Sequence, residues 1–161
     1  MNFVKFKGGY TNYGQTIGIL MLDTIFPRLP GDIGNAETFD FPVKYKIVKG
    51  AQPNKIMGIG VGWSSYDIPV IIKGMKEDAI FPSVFIGNKP DLDLEILNYE
   101  IKEMTEEFIT ENPDARAIVL ECTNMCPFTR MIHDISGLPV FDINNLVNFI
   151  HYSVKPRKYI I

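Results

Sequence analysis

Residues 117–127, Ala117-Ile-Val-Leu-Glu-Cys-Thr-Asn-Met-Cys-Pro127, decide the fold. The apolar start, Ala117–Leu120, is typical of a strand that is buried on both faces of a parallel sheet. Pro127 suits the first turn of a helix, and Gly137 suits its end. Leu138–Phe141 then predicts another short strand. A strand, a helix and a strand in this order indicate a parallel sheet with helices on its faces.

The rest of the chain extends this pattern. Ile17–Leu22 is a continuous apolar run, which predicts a buried strand ending at Asp23. Residues 24–42 hold several prolines and glycines and enough apolar side chains to pack, so we expect a long ordered loop with a functional role. Further strands are predicted at 43–48 and 69–72, and a polar connection follows up to Pro90. One helix is predicted from Asp91 or Asp93 to Asn112, and a later one begins at Asn144 or Asn145. The predicted fold class is α/β.

Composition excludes several classes of function. The 161 residues are 46% hydrophobic and 22% charged, which is ordinary for a globular protein, and the net charge of −3 argues against nucleic acid as a partner. No apolar run approaches the roughly 18 residues that a membrane span needs. Cys122 and Cys126 lack Cys-x-x-Cys spacing, and neither these cysteines nor the two histidines show metal-ligand spacing. We expect a cytoplasmic protein with reduced thiols and no metal site.

Cys122 is the candidate catalytic residue. It lies at a predicted strand end, directly before a predicted helix, where unsatisfied backbone N–H groups lower a thiol's pKa and attract an anion such as a substrate carboxylate. Thr123 and Asn124 add hydrogen-bonding side chains at the same point. The alternative is that Cys122 is only a small buried hydrophobic residue, since cysteine is among the most buried residue types.

Three segments resemble aspartate/glutamate racemase-family proteins. The matching stretches are Gly18-Ile-Leu-Met-Leu-Asp23 through Pro30-Gly-Asp-Ile-Gly-Asn35, Ala117 through Met125, and Gly137-Leu-Pro-Val-Phe-Asp-Ile143. The resemblance implies a cofactor-independent enzyme of two similar α/β halves, with one cysteine from each half facing opposite sides of the substrate's α-carbon. It assigns Cys122 as the second-half cysteine. It assigns substrate binding to Thr123 and Asn124 and to three residues of the first half: Asp23, Gly31 and Asn35.

The sequence departs from that family in its first half. No cysteine matches the first-half position, and the chain between Ala51 and Tyr66 is too short for the expected elements. We therefore predict a truncated first half at 1–66, contributing a strand and the pocket loop, and a second half at 67–161 that carries Cys122. The apolar surface left by an internal deletion suggests a homodimer.

Three functions follow from this comparison. The first is racemisation of a small amino acid such as aspartate or glutamate, impaired by the missing cysteine. The second needs a single thiol and is decarboxylation of a malonate-like acid. The third is an inactive protein that binds a small carboxylate.

Overall fold

The computed structural model describes residues 17–49 and 70–156. Within these residues the chain is a mixed α/β structure with two small parallel sheets flanked by helices. The strands are β1 (Ile17–Leu22), β2 (Val43–Val48), β3 (Ile118–Val119) and β4 (Val140–Phe141). The α-helices are α1 (Ile80–Phe85), α2 (Leu94–Glu111), α3 (Thr129–Ser136) and α4 (Ile143–Val154), and short 3-10 helices cover Ala36–Thr38 and Thr123–Phe128.

The first sheet pairs β1 with β2 in parallel over six residues, from Ile17 opposite Val43 to Leu22 opposite Val48. Val43 and Tyr45 are buried whereas Lys44 and Lys46 are exposed, so β2 alternates as a strand with one covered face should. Both strands predicted in this part of the sequence are confirmed, but β1 is not buried along its length as predicted: Ile19 is buried and Gly18 is exposed.

The second sheet consists of β3 and β4, with Ile118 opposite Val140 and Val119 opposite Phe141. The predicted parallel pairing flanked by helices is confirmed, and among the described residues it is divided between two sheets of two strands each. The strand predicted at 69–72 is wrong at residues 70–72, which are irregular; Ile72 is 88% exposed. Instead of joining a sheet, this segment leads to Lys73, which forms ion pairs with Glu107 and Glu111 of α2.

Helix α2 confirms the prediction of a long amphipathic helix. The carboxylate of Asp93 accepts hydrogen bonds from the N–H groups of Glu95 and Ile96, which caps the helix at its start. Leu97 and Ile101, four residues apart, are fully buried. Complete burial of side chains of this size contributes about 2 kcal/mol each.

Helix α1 lies in the segment predicted to be a polar connection, so that prediction is wrong. Its first N–H groups, those of Ile80 and Phe81, donate to the carboxylate of Glu100 at 2.7 and 2.9 Å. The cap therefore comes from α2 rather than from a neighbouring residue in the sequence. Local patterns cannot show a cap of this kind.

Helices α3 and α4 agree with the sequence signals at their ends. α3 ends at Gly137, which adopts the left-handed conformation with φ +67°. α4 begins at Ile143 and is capped by Asp142, whose side chain accepts from the N–H of Asn145 while the Asn145 side chain accepts from the N–H of Asp142. The predicted start at Asn144 or Asn145 is therefore one or two residues late.

Two hydrophobic cores stabilise these elements. The larger contains Phe26 and residues from α1, α2, α3 and the end of β3; the smaller contains Ile19, Phe39, Phe41, Val43, Tyr45 and Val147. Each core draws residues from both sides of the predicted half boundary at 66, which itself lies in the undescribed segment 50–69. The proposed deletion site at 51–66 lies there too, so the division into halves stays a prediction. No helix among the described residues is long and apolar enough to cross a membrane.

Candidate functional site

The candidate thiol lies where β3 ends and the 3-10 helix Thr123–Phe128 begins. Cys122 is the residue before that helix, with extended backbone angles, and Leu120 still donates its N–H to Phe141 of the neighbouring strand. Both cysteines are free thiols; Cys122 is half-buried and Cys126 is buried. The predicted position of Cys122 at a strand end is confirmed, but a 3-10 helix, and not the predicted α-helix, follows it.

The electrostatic environment of Cys122 differs from the prediction. Burial raises the pKa of the Cys122 thiol, and the charge of Glu121 adds to this effect. The backbone N–H groups of Asn124 and Met125 and the side chain of Asn124 lower it, but by less than burial raises it. The N–H of Asn124 is the largest of these opposing effects and exceeds the effect of Glu121. The prediction of a lowered pKa was wrong because the surrounding core removes water that stabilises a thiolate.

Asn124 connects Cys122 to the loop that follows β1. Its Nδ2 lies 3.8 Å from the sulfur of Cys122, and its Oδ1 lies 3.4 Å from Nη1 of Arg28. Arg28 is 96 residues away in the sequence. This contact therefore brings the loop predicted to be functional against the strand end that carries Cys122.

Arg28 and Asp32 form a buried ion pair beneath this contact. Nη1 of Arg28 lies 3.1 and 3.2 Å from the two oxygens of Asp32, whose side chain is only 2% exposed. The N–H of Gly34 also donates to Asp32, at 2.6 Å. Burial raises the pKa of Asp32, opposed by the charge and hydrogen bond of Arg28 and by the Gly34 N–H. The sequence analysis did not predict this ion pair. The signal that could have indicated it is an Arg and an Asp four residues apart within a loop that also contains enough apolar side chains to pack.

The three first-half residues predicted to bind substrate serve the loop in different ways. Gly31, with φ +96°, donates its N–H to Thr38, and its carbonyl accepts from the side chain of Asn144. Asn35 caps the first 3-10 helix and donates from Nδ2 to the carbonyl of Arg28 at 2.6 Å. Asp23 is half-buried directly after β1. The hydrogen bonds of Gly31 and Asn35 hold the loop in shape, and the role of all three in binding stays a prediction.

An open apolar depression lies next to the thiol-bearing segment. Its lining includes Gly31, Cys126, Pro127 and Phe141, but not Cys122. Burial raises the pKa of the Cys126 thiol to about 12, and the nearby carboxylate of Asp142 adds to this shift. Cys126 is consequently a poor source of thiolate. Among the described residues, no group of three or more histidine, cysteine or acidic side chains could hold a metal ion.

Comparison with known proteins gives one informative match. The chain is 34% identical over 83 residues to a dimethylsulfoniopropionate lyase from Durusdinium sp. clade D. The match covers 52% of this chain but only 26% of the lyase, so the chain spans about a quarter of its relative's length. No family model matches the chain, and no solved structure matches it.

This match corrects the functional prediction. The relative is named a lyase, so the predicted racemase and isomerase activity is wrong. The comparison gives no support to the malonate decarboxylase and inactive-binder alternatives either. The racemase-family resemblance itself is tested by none of these comparisons and stays a prediction.

Proposed function

We propose that this chain carries the proton-abstracting part of a lyase that cleaves a β-sulfonio carboxylate such as dimethylsulfoniopropionate. The similarity to a dimethylsulfoniopropionate lyase supports the substrate class. The observation that carries the proposal is a half-buried free thiol, Cys122, with one amide side chain and two backbone N–H groups near its sulfur. Thr123 and Asn124 are the proposed contacts of the substrate carboxylate.

The reaction requires one base. The thiolate of Cys122 removes a proton from the carbon next to the carboxylate, and the electron pair of that C–H bond forms a carbon–carbon double bond. The bond from the β-carbon to sulfur breaks, and its electron pair leaves with dimethyl sulfide. Acrylate and a protonated thiol remain, and the thiol returns its proton to water. A positively charged sulfonium is a good leaving group, so the reaction needs neither a redox cofactor nor an added acid.

Burial of Cys122 suits this step. A group whose pKa is raised is a stronger base once it is deprotonated, and the α-proton of a carboxylate is weakly acidic. The amides near the sulfur then favour enough thiolate for reaction. We expect activity to rise with pH above neutrality, because burial moves the pKa of Cys122 upward from 9.0.

The test is to incubate the purified chain with dimethylsulfoniopropionate and measure dimethyl sulfide by gas chromatography and acrylate by proton NMR. Cys122→Ser is expected to reduce product formation by about 100-fold or more, since loss of a general base costs about two to four orders of magnitude. Cys126→Ala is the matched control, because it removes the other thiol and is expected to keep activity. Product formation that survives Cys122→Ser would contradict the role of this thiol.

A second measurement separates proton abstraction from elimination. Incubation in heavy water with 3-(dimethylamino)propionate, which has no sulfonium leaving group, should exchange the α-proton for deuterium. Loss of this exchange in Cys122→Ser would support the base. A folded chain that neither exchanges this proton nor forms dimethyl sulfide would refute the proposal.

A further inference from the structure

The orientation of the Asn124 side chain is fixed by its partners. A guanidinium carries only N–H donors, so Arg28 must face the oxygen of the Asn124 amide, as it does at 3.4 Å. The NH₂ group is thereby turned toward the sulfur of Cys122, at 3.8 Å. The opposite orientation would set NH₂ against the guanidinium and the amide oxygen against a thiolate, and both contacts are repulsive.

Arg28 is itself held from several sides. Asp32 accepts from Nη1, Thr24 accepts from Nη2 at 3.1 Å, and the guanidinium carbon lies 4.4 Å from the ring centre of Phe26. The Arg28 side chain is only 16% exposed. Nη1 of Arg28, the nitrogen that donates to Asp32, is also the guanidinium nitrogen within hydrogen-bond distance of the Asn124 oxygen, so the ion pair fixes the place at which that oxygen is bound.

We propose that Arg28 is a positioning residue: anchored by Asp32, it holds the Asn124 amide so that its NH₂ group donates to the thiolate of Cys122. The inference deepens the proposed function, because the thiolate is the base proposed there. It assigns Arg28 no contact with substrate. It also gives the ion pair a role beyond stability, since apolar side chains of similar volume often stabilise a core as well as a buried ion pair does.

Other charged and titratable groups also act on Cys122. Glu121 on the same strand end disfavours the thiolate of Cys122, whereas Asp32 and Cys122 itself raise the pKa of the neighbouring Cys126. Each of these groups opposes ionisation of a thiol. The Asn124 side chain and the two backbone N–H groups are thus the groups near the sulfur that favour the thiolate, and Asn124 is the one whose orientation depends on Arg28.

The experiment measures the pKa of Cys122 without substrate. The rate of alkylation by iodoacetamide is followed from pH 6 to 11, and mass spectrometry of peptides separates Cys122 from Cys126. We expect Asn124→Ala to lower the alkylation rate at pH 7.5 by about threefold to tenfold, since one pKa unit is a tenfold change in thiolate. Arg28→Met should lower it by a similar factor, and Arg28→Lys should restore part of the loss because it keeps a donor.

The double variant distinguishes positioning from simple charge. If Arg28 acts through Asn124, Arg28→Met changes the pKa of Cys122 much less in the Asn124→Ala background than in the unmodified chain. Equal effects in both backgrounds would overturn the inference. Arg130→Met, which removes an exposed arginine from an ion pair of the same spacing, is the matched control and should leave the rate unchanged.

The choice of variants separates a failure to fold from loss of the proposed contact, and the thiol titration separates this inference from the proposed lyase activity. Asn124→Ala leaves the Arg28–Asp32 pair intact, so it tests the contact even if Arg28→Met fails to fold, and an unchanged rate in Asn124→Ala would refute the inference. The thiol titration uses no sulfonium compound. A shifted pKa without lyase activity would therefore refute the proposed function alone, whereas lyase activity with an unshifted pKa would refute this inference alone.

Discussion

The segments that follow β1 and β3 both leave the carboxyl end of a parallel strand, yet they differ in kind. Residues 23–42 bury most of a charged pair and give it hydrogen bonds from within the loop, although Nε of Arg28 has no hydrogen-bond partner among the described residues. Residues 121–128 bury the thiol of Cys126 and the ring of Phe128 and leave Cys122 half-buried against the larger core. Residues 23–42 thus form a hydrogen-bonded polar loop, whereas residues 121–128 carry a reactive thiol with little access to water. They meet at Arg28 with Asn124 and at Gly31 with Pro127.

Loss of a charge should lower the stability of the protein more in the loop 23–42 than in the segment 121–128. Asp32→Asn leaves the Arg28 guanidinium without its anion and is expected to lower the free energy of unfolding by about 3 kcal/mol, measured by urea denaturation. Asp134→Asn is the control, because Arg130–Asp134 is the same i,i+4 pair on an exposed surface, and it should leave stability unchanged. Replacing both partners, with Arg28→Met and Asp32→Leu, should cost less than Asp32→Asn alone. Equal losses for Asp32→Asn and Asp134→Asn would contradict this comparison.

The contact between the two segments can be tested at Gly31. A Cβ there would lie 2.8 Å from the Cα of Pro127, and φ is +96°, so Gly31→Ala should lower the free energy of unfolding by about 2 kcal/mol. Gly137→Ala is matched to it: φ is +67° but no atom lies within 4 Å of the added Cβ, and about 1 kcal/mol is expected. Both are measured by chemical denaturation. If Gly31→Ala lowers the free energy of unfolding by no more than Gly137→Ala does, the backbones of Gly31 and Pro127 are not in close contact.

Burial of the Cys126 thiol in the segment 121–128 should make the stability of the folded chain depend on pH in the alkaline range. Cys126 has a pKa of about 12 in the folded chain against 9.0 for an ordinary thiol, so the folded state holds this proton longer than the unfolded state does. The free energy of unfolding should therefore fall as pH rises from about 9 to about 12, as the raised pKa requires. Cys126→Ala should reduce that slope, measured by denaturation at several pH values. Some dependence of the free energy of unfolding on pH should remain in Cys126→Ala, because the pKa of Tyr45 is also raised to about 12. If Cys126→Ala leaves this dependence unaltered, the expected effect of burying Cys126 is contradicted.

Sequence patterns predicted the elements whose signals are local. Asp93 and Gly137 lie at helix ends that their own neighbours define, and both were found. Helix α1 was missed because its cap, Glu100, comes from another helix. The apolar run at 70–72 was misassigned because apolar character alone does not supply a strand partner.

The candidate site was predictable in its residues but not in its electrostatics. The position of Cys122 after a short apolar run, with Thr123 and Asn124 next to it, follows from the sequence. The direction of its pKa shift does not, because burial depends on side chains packed from other elements. The link from Arg28 to Asn124 spans 96 residues and cannot be read from either segment alone.

The loop after β1 receives some of its supports from helix α4. Asn144 donates to the carbonyl of Gly31, and the hydroxyl of Tyr152 lies 3.2 and 3.3 Å from the carboxylate oxygens of Asp40. A ribosome synthesises residues 24–42 long before it reaches residue 152, so during translation the loop lacks these two anchors. Arg28 lies three residues before Gly31 in this loop, so the loop that carries it gains these two anchors only after α4 has been synthesised.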